Sequence, residues 1–127
     1  PEFAKKYALC DTSGIDGVPL MHSEREPWSS WFPAAGIVAD EPEHGILFND
    51  SALMLQAAAA GQGLCLARQS IVYDELQSGR LVRPFSTYVE SPFSYFFVCR
   101  REKLAAPPIA AFRKWIFRQI KNIPLLD

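Results

Sequence analysis

The sequence predicts an α/β fold, because runs with the character of buried strands alternate with runs that favour helix. The pattern is clearest over residues 45–67, where GILF, FNDSALMLQAAAA, GQG and LCLA follow one another. A strand, a polar turn, a helix, a glycine turn and a second strand form a βαβ unit, whose strands are almost always parallel with a right-handed crossover. With 127 residues, 49% of them hydrophobic, the chain can form one domain or slightly less.

The helix of this unit carries clear signals at both ends. We expect it to begin near Asn49 or Asp50, which are good N-cap residue types, and to end at Gly61, where a left-handed C′ residue is easiest to place. Four consecutive alanines favour helix and let its axis lie close to a sheet. The bulk that fills the interface is expected from Leu53, Met54 and Leu55.

Shorter elements are predicted before this unit. Residues 1–7 have the character of a helical turn, and residues 18–22, VPLMH, that of a short strand. Residues 27–36, PWSSWFPAAG, place Trp28, Trp31 and Phe32 at helical spacing, which predicts an amphipathic helix that ends at Gly36. An exposed acidic loop, residues 39–44, leads into the βαβ unit.

Alternation of helices and strands continues to the end of the chain. A helix is predicted over residues 69–79, a short strand over 81–85, a strongly β-prone strand over 94–100 and a helix over 107–120. The apolar stripe of the last helix is Ile109, Phe112, Ile116 and Ile120. Because the chain opens without a strand and closes with an unusually apolar strand and helix, we expect it to be part of a larger domain.

Polar side chains gather at the ends of the predicted strands. Asn49, Asp50 and Ser51 follow the first strand of the βαβ unit, where free backbone N–H groups and the helix dipole favour negative or hydrogen-bond-accepting ligands. In open α/β sheets the carboxyl edge is where ligands bind. Two further pairs are expected at this edge: His22 with Ser23, and Arg68 with Gln69.

Each of these residues also has a purely structural interpretation. The trio can simply cap its helix, a role that contributes about 1 kcal/mol. A histidine at a strand end is often a hydrogen-bonded structural residue. Arg68 can pair with a ligand carboxylate or phosphate, or it can be a solvated surface residue.

Composition excludes several classes of function. A net charge of -1 does not indicate the positive surface that binding to nucleic acid or to an anionic membrane requires. No stretch approaches the roughly 20 apolar residues of a membrane span, and the first residues lack a secretion signal, so a cytoplasmic protein is expected. Three widely spaced cysteines without C-x-x-C predict neither disulfides nor a zinc site, and no cofactor motif is present.

Six segments follow one another in an order that is more specific than any one of them. They are PLMH, WSSWFPAAG, FNDSALMLQAAAAGQGLCLAR, LQSGRLVRPF, SPFSYFFVCR and AFRKWIFRQI. In this order they resemble the effector-binding domain of LysR-type transcriptional regulators, and most of all the branch with the glycine-cleavage and β-lactamase regulators. The similarity extends from about Pro1 to Ile120.

The resemblance implies a periplasmic-binding-protein-like (type 2) fold, in which two α/β lobes joined by crossover strands bind a small effector between them. Residues 18–85 would form the second lobe, and residues 95–120 would form a strand and a helix that return to the first lobe. The winged helix-turn-helix, the linker helix and most of the first lobe would precede Pro1. DNA binding is therefore expected only through an amino-terminal domain outside this chain, in a homodimer or homotetramer.

The resemblance also implies roles for two residues. Similar regulators have a serine at the start of the Ser51 helix that faces the cleft, and a tyrosine at the position of Tyr95 in the ligand site. The structural alternative for Tyr95 is a strand aromatic with its hydroxyl at the surface. Asn49 and Asp50 depart from the most similar β-lactamase regulators, so the effector need not be a cell-wall fragment.

Two other classes of function remain as alternatives. A small hydrolase-like enzyme would need a nucleophile, but there is no G-x-S-x-G elbow, no H-E-x-x-H and no phosphate loop. Adjacent Asp50 and Ser51 cannot serve as the two ends of a relay around the imidazole of His22. A solute-binding protein of the envelope is disfavoured by the three cysteines and the absence of a leader. The prediction is a sensing domain without enzymatic activity.

Overall fold

The structure, a computed structural model, describes residues 2–121. The chain divides into two units, Pro1–Ser91 and Pro92–Asp127. The first contains α1 (Glu2–Lys6), a 3₁₀ turn (Thr12–Ile15), β1 (Met21–Ser23), α2 (Trp28–Trp31), β2 (Ile46–Phe48), α3 (Ser51–Ala59) and α4 (Gln69–Gln77). The second contains a 3₁₀ turn (Arg101–Lys103) and α5 (Pro107–Lys121). The proposed lobe limits, 18–85 and 95–120, stay a prediction.

The sheet of the first unit is small and parallel. β1 and β2 pair in parallel, with Met21 opposite Ile46 and Ser23 opposite Phe48. On the other side of β1, Leu20 and Leu64 form an isolated parallel bridge. The chain therefore runs in the same direction in all three segments, as the βαβ pattern predicts, and β1 lies between the two ends of that unit.

The predicted strand over residues 64–67 is reduced to this single bridge. Two hydrogen bonds make it: the Met21 amide donates to the Leu64 carbonyl at 2.8 Å, and the Leu64 amide to the Pro19 carbonyl at 2.9 Å. A Cβ on Gly63 would lie 2.7 Å from the Pro19 oxygen, so only glycine permits this close approach. After Leu64 the backbone no longer pairs with β1, so the strand prediction is wrong beyond this residue.

Alternate residues of the sheet face two different hydrophobic clusters. On one face Leu20 and Leu64 pack against the aromatic cluster, which consists of Ile15, Trp28, Trp31 and Phe32. On the other face Met21 packs with Met54 and Ala57 of α3. Because successive strand residues point to opposite faces, one short strand serves both clusters. The first unit thus has the layered α/β arrangement that the sequence predicts.

Helix α3 follows its predicted bounds closely. It begins after the N-cap Asp50 and ends before Gly61, whose φ of 76° is the left-handed conformation expected there. Met54 is 1% exposed and packs against the sheet, but Leu53 is 55% exposed. The expectation that Leu53 fills the interface is therefore wrong, since it lies one residue away from the inward face of the helix.

The predicted helix over residues 27–36 is shorter than expected. Only Trp28–Trp31 is α-helical, and turns follow it to Gly36, which has a φ of 72°. Pro33 explains the difference, because a proline has no N–H with which to continue the ladder. The aromatic residues still gather as predicted, with Trp28 and Phe32 stacked at 5.9 Å between ring centroids.

Two further predicted strands do not form in the described part of the chain. Residues 81–85 form no strand, and Trp31 contacts this part of the chain through its ring, 5.6 Å from that of Phe85 between centroids, and through an indole hydrogen bond to the Thr87 carbonyl at 3.1 Å. Residues 94–100 pair with no strand among residues 2–121. A strand requires a hydrogen-bonded neighbour as well as β-propensity.

The two later helices form where they were predicted. Helix α4 ends before Gly79, which again has a positive φ of 72°, and α5 runs from Pro107 to Lys121. On α5, Phe112 contacts Phe97 and Trp115 at 6.1 and 5.6 Å between ring centroids. Across residues 2–121 no helix combines the length and the apolar character that crossing a membrane requires.

Candidate functional site

The carboxyl edge of the parallel sheet brings together the polar residues predicted there. Ser23 ends β1 opposite Phe48, which ends β2 and directly precedes the trio of residues 49–51. The trio and Ser23 therefore lie at the same end of the sheet, which is the end where ligands bind in open α/β folds. The parallel register therefore puts Ser23 and the trio at the predicted edge, while the binding roles stay a prediction.

The three residues of the trio differ in structural role. The Asp50 carboxylate accepts a hydrogen bond from the Leu53 amide at 2.9 Å, so Asp50 is the N-cap of α3. Ser51 is the first helical residue and is half-buried, and Asn49 is exposed. Capping thus accounts for Asp50 but uses neither the Ser51 hydroxyl nor the Asn49 amide.

A largely but not fully buried ion pair joins the two other predicted groups. Arg68 Nε lies 2.7 Å from Glu26 Oε1, and each of the two side chains is only 13% exposed. The second oxygen of Glu26 accepts a hydrogen bond from the Ser23 hydroxyl at 2.9 Å. Glu26 therefore links the end of β1 to Arg68, the N-cap residue of α4, and Gln69 is the half-buried first residue of that helix.

The sequence did not indicate a role for Glu26. Glu26 nevertheless bridges Ser23 and Arg68, which were both predicted to lie at this edge. The only local signal is its position three residues after Ser23, at the end of the polar segment that follows β1. Its charge offsets that of Arg68, so the guanidinium does not present an uncompensated positive charge at this edge. The arrangement favours recognition by hydrogen bonds over recognition by net charge.

His22 is buried and held by the acidic loop. It is 9% exposed, with Nδ1 at 3.2 Å from Glu41 Oε1 and Nε2 at 3.0 Å from the His44 carbonyl oxygen. The other Glu41 oxygen accepts a hydrogen bond from the Ser29 amide at 2.7 Å. Burial alone would raise the pKa of Glu41, but the hydrogen bonds from Ser29 and His22 outweigh it and lower that pKa.

An acidic cavity lies beside this histidine. It has a volume of ≈ 330 Å³ and is open to solvent. Its lining residues are His22, Ser23, Glu24, Pro27, Glu41, Pro42, Glu43, Gly45 and Leu47. The loop that sequence reasoning treats as merely exposed therefore forms a wall against the end of β1.

Neither a metal-ligand cluster nor an ionised Cys65 thiol is found among the described residues. Within residues 2–121 no three His, Cys, Asp or Glu side chains converge to hold a metal ion. Burial raises the pKa of the Cys65 thiol to about 11, so that thiol is protonated at neutral pH. Cys65 is half-buried and packs beside Met21 and Met54.

Tyr95 belongs to the second unit and is 65% exposed. It lies in the segment without helix or strand that precedes the Arg101–Lys103 turn. Its predicted role in the ligand site stays a prediction.

Comparison with protein families identifies the class. The model of the LysR substrate binding domain matches residues 17–121. This chain belongs to that family, and its α/β fold is of the periplasmic-binding-protein-like type expected from the resemblance. Membership of the family identifies it as a ligand-sensing regulatory domain.

Two characterised relatives are transcriptional activators. The chain is 36% identical over 98 residues to the glycine cleavage system transcriptional activator of Escherichia coli K12, a match that covers 76% of this chain and 32% of the relative. It is also 36% identical over 99 residues to the HTH-type transcriptional activator AmpR of Pseudomonas aeruginosa, covering 76% and 33%. The chain thus spans about a third of the length of these relatives.

Solved structures agree with this assignment. The effector domain of AmpR from Pseudomonas aeruginosa superposes with a TM-score of 0.76 at 32% identity, covering 94% of this chain and 57% of that domain. The AmpR effector-binding domain from Citrobacter freundii gives a TM-score of 0.70 at 25% identity, with 95% and 60% covered. The chain matches rather more than half of an effector domain.

Proposed function

We propose that this chain is part of the effector-sensing domain of a LysR-type transcriptional regulator and that it contacts a small-molecule effector at the carboxyl edge of its sheet. The observation that carries the proposal is the parallel register of β1 and β2, which brings Ser23 to the same edge as Asn49 and Ser51. Family membership supports a role in effector sensing, and the strand register supports the proposed position of the effector site.

The chemistry of the edge favours an effector with several hydrogen-bonding groups. Ser51 and Asn49 offer a hydroxyl and an amide beside the first turn of α3, where backbone N–H groups face outward. Arg68 is paired with Glu26, so its contribution to an effector would be directional hydrogen bonds more than net charge. We therefore place Ser51, Asn49, Ser23, Arg68 and Gln69 at the effector edge, with Asp50 and His22 in supporting roles.

Sensing would act through a population shift. An effector changes the equilibrium between two arrangements of a protein only by its differential affinity for them. In the proposed mechanism the effector alters the closure of the effector domain, and this alters the geometry of a DNA-bound oligomer. DNA binding would come from an amino-terminal helix-turn-helix domain, in a homodimer or homotetramer in the cytoplasm.

We propose that this site has no enzymatic activity. A serine hydrolase would need an imidazole with a nitrogen available to take the proton of Ser51. In His22 one ring nitrogen contacts the Glu41 carboxylate and the other the His44 carbonyl. The names of the relatives, which are transcriptional activators, point the same way.

Substitution of Ser51 by alanine is expected to weaken effector binding without unfolding the protein. Removal of one neutral hydrogen bond costs about 1 kcal/mol, which corresponds to roughly a fivefold loss of affinity. The ligand is found first by a thermal-shift screen of amino acids, organic acids and peptidoglycan fragments. The compound with the largest shift is then titrated by calorimetry against both proteins.

Two further variants distinguish binding from capping. Ser70→Ala removes an exposed hydroxyl from the first turn of α4 and should leave affinity unchanged. Asp50→Ala removes the cap of α3 and should lower stability by about 1 kcal/mol. If Ser51→Ala binds as tightly as the unmodified protein, Ser51 does not contact the effector.

Tyr95→Phe is expected to weaken binding of the same compound, because it removes the hydroxyl and keeps the ring. Calorimetry measures the effect directly. An affinity equal to that of the unmodified protein would remove Tyr95 from the site.

A further inference from the structure

Arg68 occupies a position that favours an anion. It is the N-cap residue of α4, and the free N–H groups and the dipole at the start of a helix attract negative charge. A guanidinium strengthens this preference, because it binds carboxylate and phosphate groups through directed hydrogen bonds. Glu26 connects Arg68 with Ser23, so this anion-binding arrangement lies beside the carboxyl edge of the sheet.

The chain fills the arrangement with a carboxylate of its own. Glu26 Oε1 lies 2.7 Å from Arg68 Nε, and each of the two side chains is 13% exposed. Glu26 is also fixed on its other side, since Oε2 accepts a hydrogen bond from the Ser23 hydroxyl at 2.9 Å. The same hydroxyl oxygen accepts a hydrogen bond from the Arg25 amide at 3.3 Å. The carboxylate is therefore held in place and largely shielded from water.

A ligand anion would have to displace Glu26 in order to neutralise Arg68. Separation of a charge pair that is largely removed from water is costly, because it leaves a charge without compensation. The Ser23 hydroxyl would lose its acceptor in the same step. A neutral or zwitterionic ligand avoids these costs, since it can form hydrogen bonds beside the pair without competing for the charge of the guanidinium.

The charges around the pair also disfavour an anion. Glu24, Glu41 and Glu43 line the cavity beside the end of β1, and the Asp50 carboxylate caps α3 at the same edge. Arg25, which is exposed, contributes one positive charge to the segment after β1. A ligand with net negative charge would meet repulsion from these carboxylates, and repulsion of the wrong ligand is a common source of specificity.

We propose that Glu26 is a specificity-determining residue. It serves as a built-in anion for Arg68 and restricts the carboxyl edge to effectors without net negative charge, such as neutral polar compounds and amino-acid-like zwitterions. The inference rests on the proposed function for the position of the effector, and it adds the charge class of the effector. Dicarboxylates and phosphate esters are excluded by the same argument.

Inorganic phosphate tests the role of Glu26 before the effector is known. Glu26→Gln keeps the shape of the side chain and removes its charge, so phosphate is expected to bind this variant at least about tenfold more tightly than the unmodified chain. Calorimetric titrations of the full chain at constant ionic strength measure both affinities. Glu24→Gln is the matched control, because it removes an exposed charge from the same segment and should change phosphate affinity by less than about twofold.

A double variant locates the bound phosphate and covers the case of an unstable single variant. Glu26→Gln/Arg68→Gln has neutral side chains at both positions and should lose the gained affinity. If Glu26→Gln is only marginally stable, phosphate should raise its melting temperature but not that of the double variant, because a ligand that binds the folded state stabilises it. Equal phosphate affinity in Glu26→Gln and the unmodified protein, or a gain that persists in the double variant, would refute the role of Glu26.

The effector screen tests the charge class separately from the proposed function. The compound found with the unmodified protein is expected to be neutral or zwitterionic, and a dianion whose affinity falls in Arg68→Gln would overturn the inference. Full affinity of that compound for Ser51→Ala would instead contradict the proposed effector contact, and the phosphate titrations would still decide the role of Glu26.

Discussion

Trp28→Ala is expected to lower the free energy of unfolding by about 3–5 kcal/mol, a cost typical of truncating a large aromatic residue in a core. Trp28 is 2% exposed, and its ring meets Trp31 edge-on at 5.8 Å and stacks on Phe32 at 5.9 Å between centroids. Its indole N–H also donates to the Met21 carbonyl at 3.0 Å. The variant therefore leaves both a cavity and an unsatisfied carbonyl beside β1.

Urea denaturation followed by circular dichroism measures this loss. Val38→Ala is a suitable control, since Val38 is fully exposed at 104% and its truncation should change stability by less than about 0.5 kcal/mol. A loss below about 1 kcal/mol for Trp28→Ala would show that the aromatic cluster is not the core of the first unit.

Gly45→Ala is the second substitution with a large expected effect, about 3 kcal/mol of lost stability. Gly45 has a φ of 149°, which an L side chain rarely adopts, and its new Cβ would overlap the His22 ring and the Leu20 carbonyl. Backbone strain contributes about 1–2 kcal/mol and overpacking a further 1–3 kcal/mol. Displacement of the ring should also break the contacts to Glu41 and His44.

Gly61→Ala separates the cost of backbone strain from the cost of overlap with neighbouring atoms. Gly61 also has a positive φ, 76°, but a Cβ there would meet nothing within 4 Å. Only the backbone strain applies, so the expected loss is about 1 kcal/mol. Thermal melts of both variants compare them directly, and equal losses would show that contact with His22 does not constrain position 45.

The parts of the fold that could be predicted are those with local signals. Asp50 and Gly61 fix the ends of α3 because capping and left-handed turns depend on one or two residues. Propensity alone misleads for residues 94–100, because a strand needs a partner that β-prone residues do not provide. Pro33 was visible in the sequence, and its missing N–H accounts for the short α2.

The candidate site was predictable in its place and only partly in its composition. Parallel strands end at one edge, so Ser23 and the residues after Phe48 were expected to lie together. Glu26 and Glu41 were not singled out, because their importance comes from partners far along the chain: Arg68 for the first and His22, 19 residues away, for the second. Such pairs have no periodicity in the sequence.

Three consecutive residues of β1 have three separate attachments. The Met21 carbonyl holds the Trp28 indole, the His22 ring holds the acidic loop, and the Ser23 hydroxyl is bound to Glu26. Neighbouring Cα atoms are about 3.8 Å apart across rigid peptide planes, so these three residues cannot be displaced independently. A displacement of Ser23 would therefore also shift the residues that hold the Trp28 indole and the acidic loop.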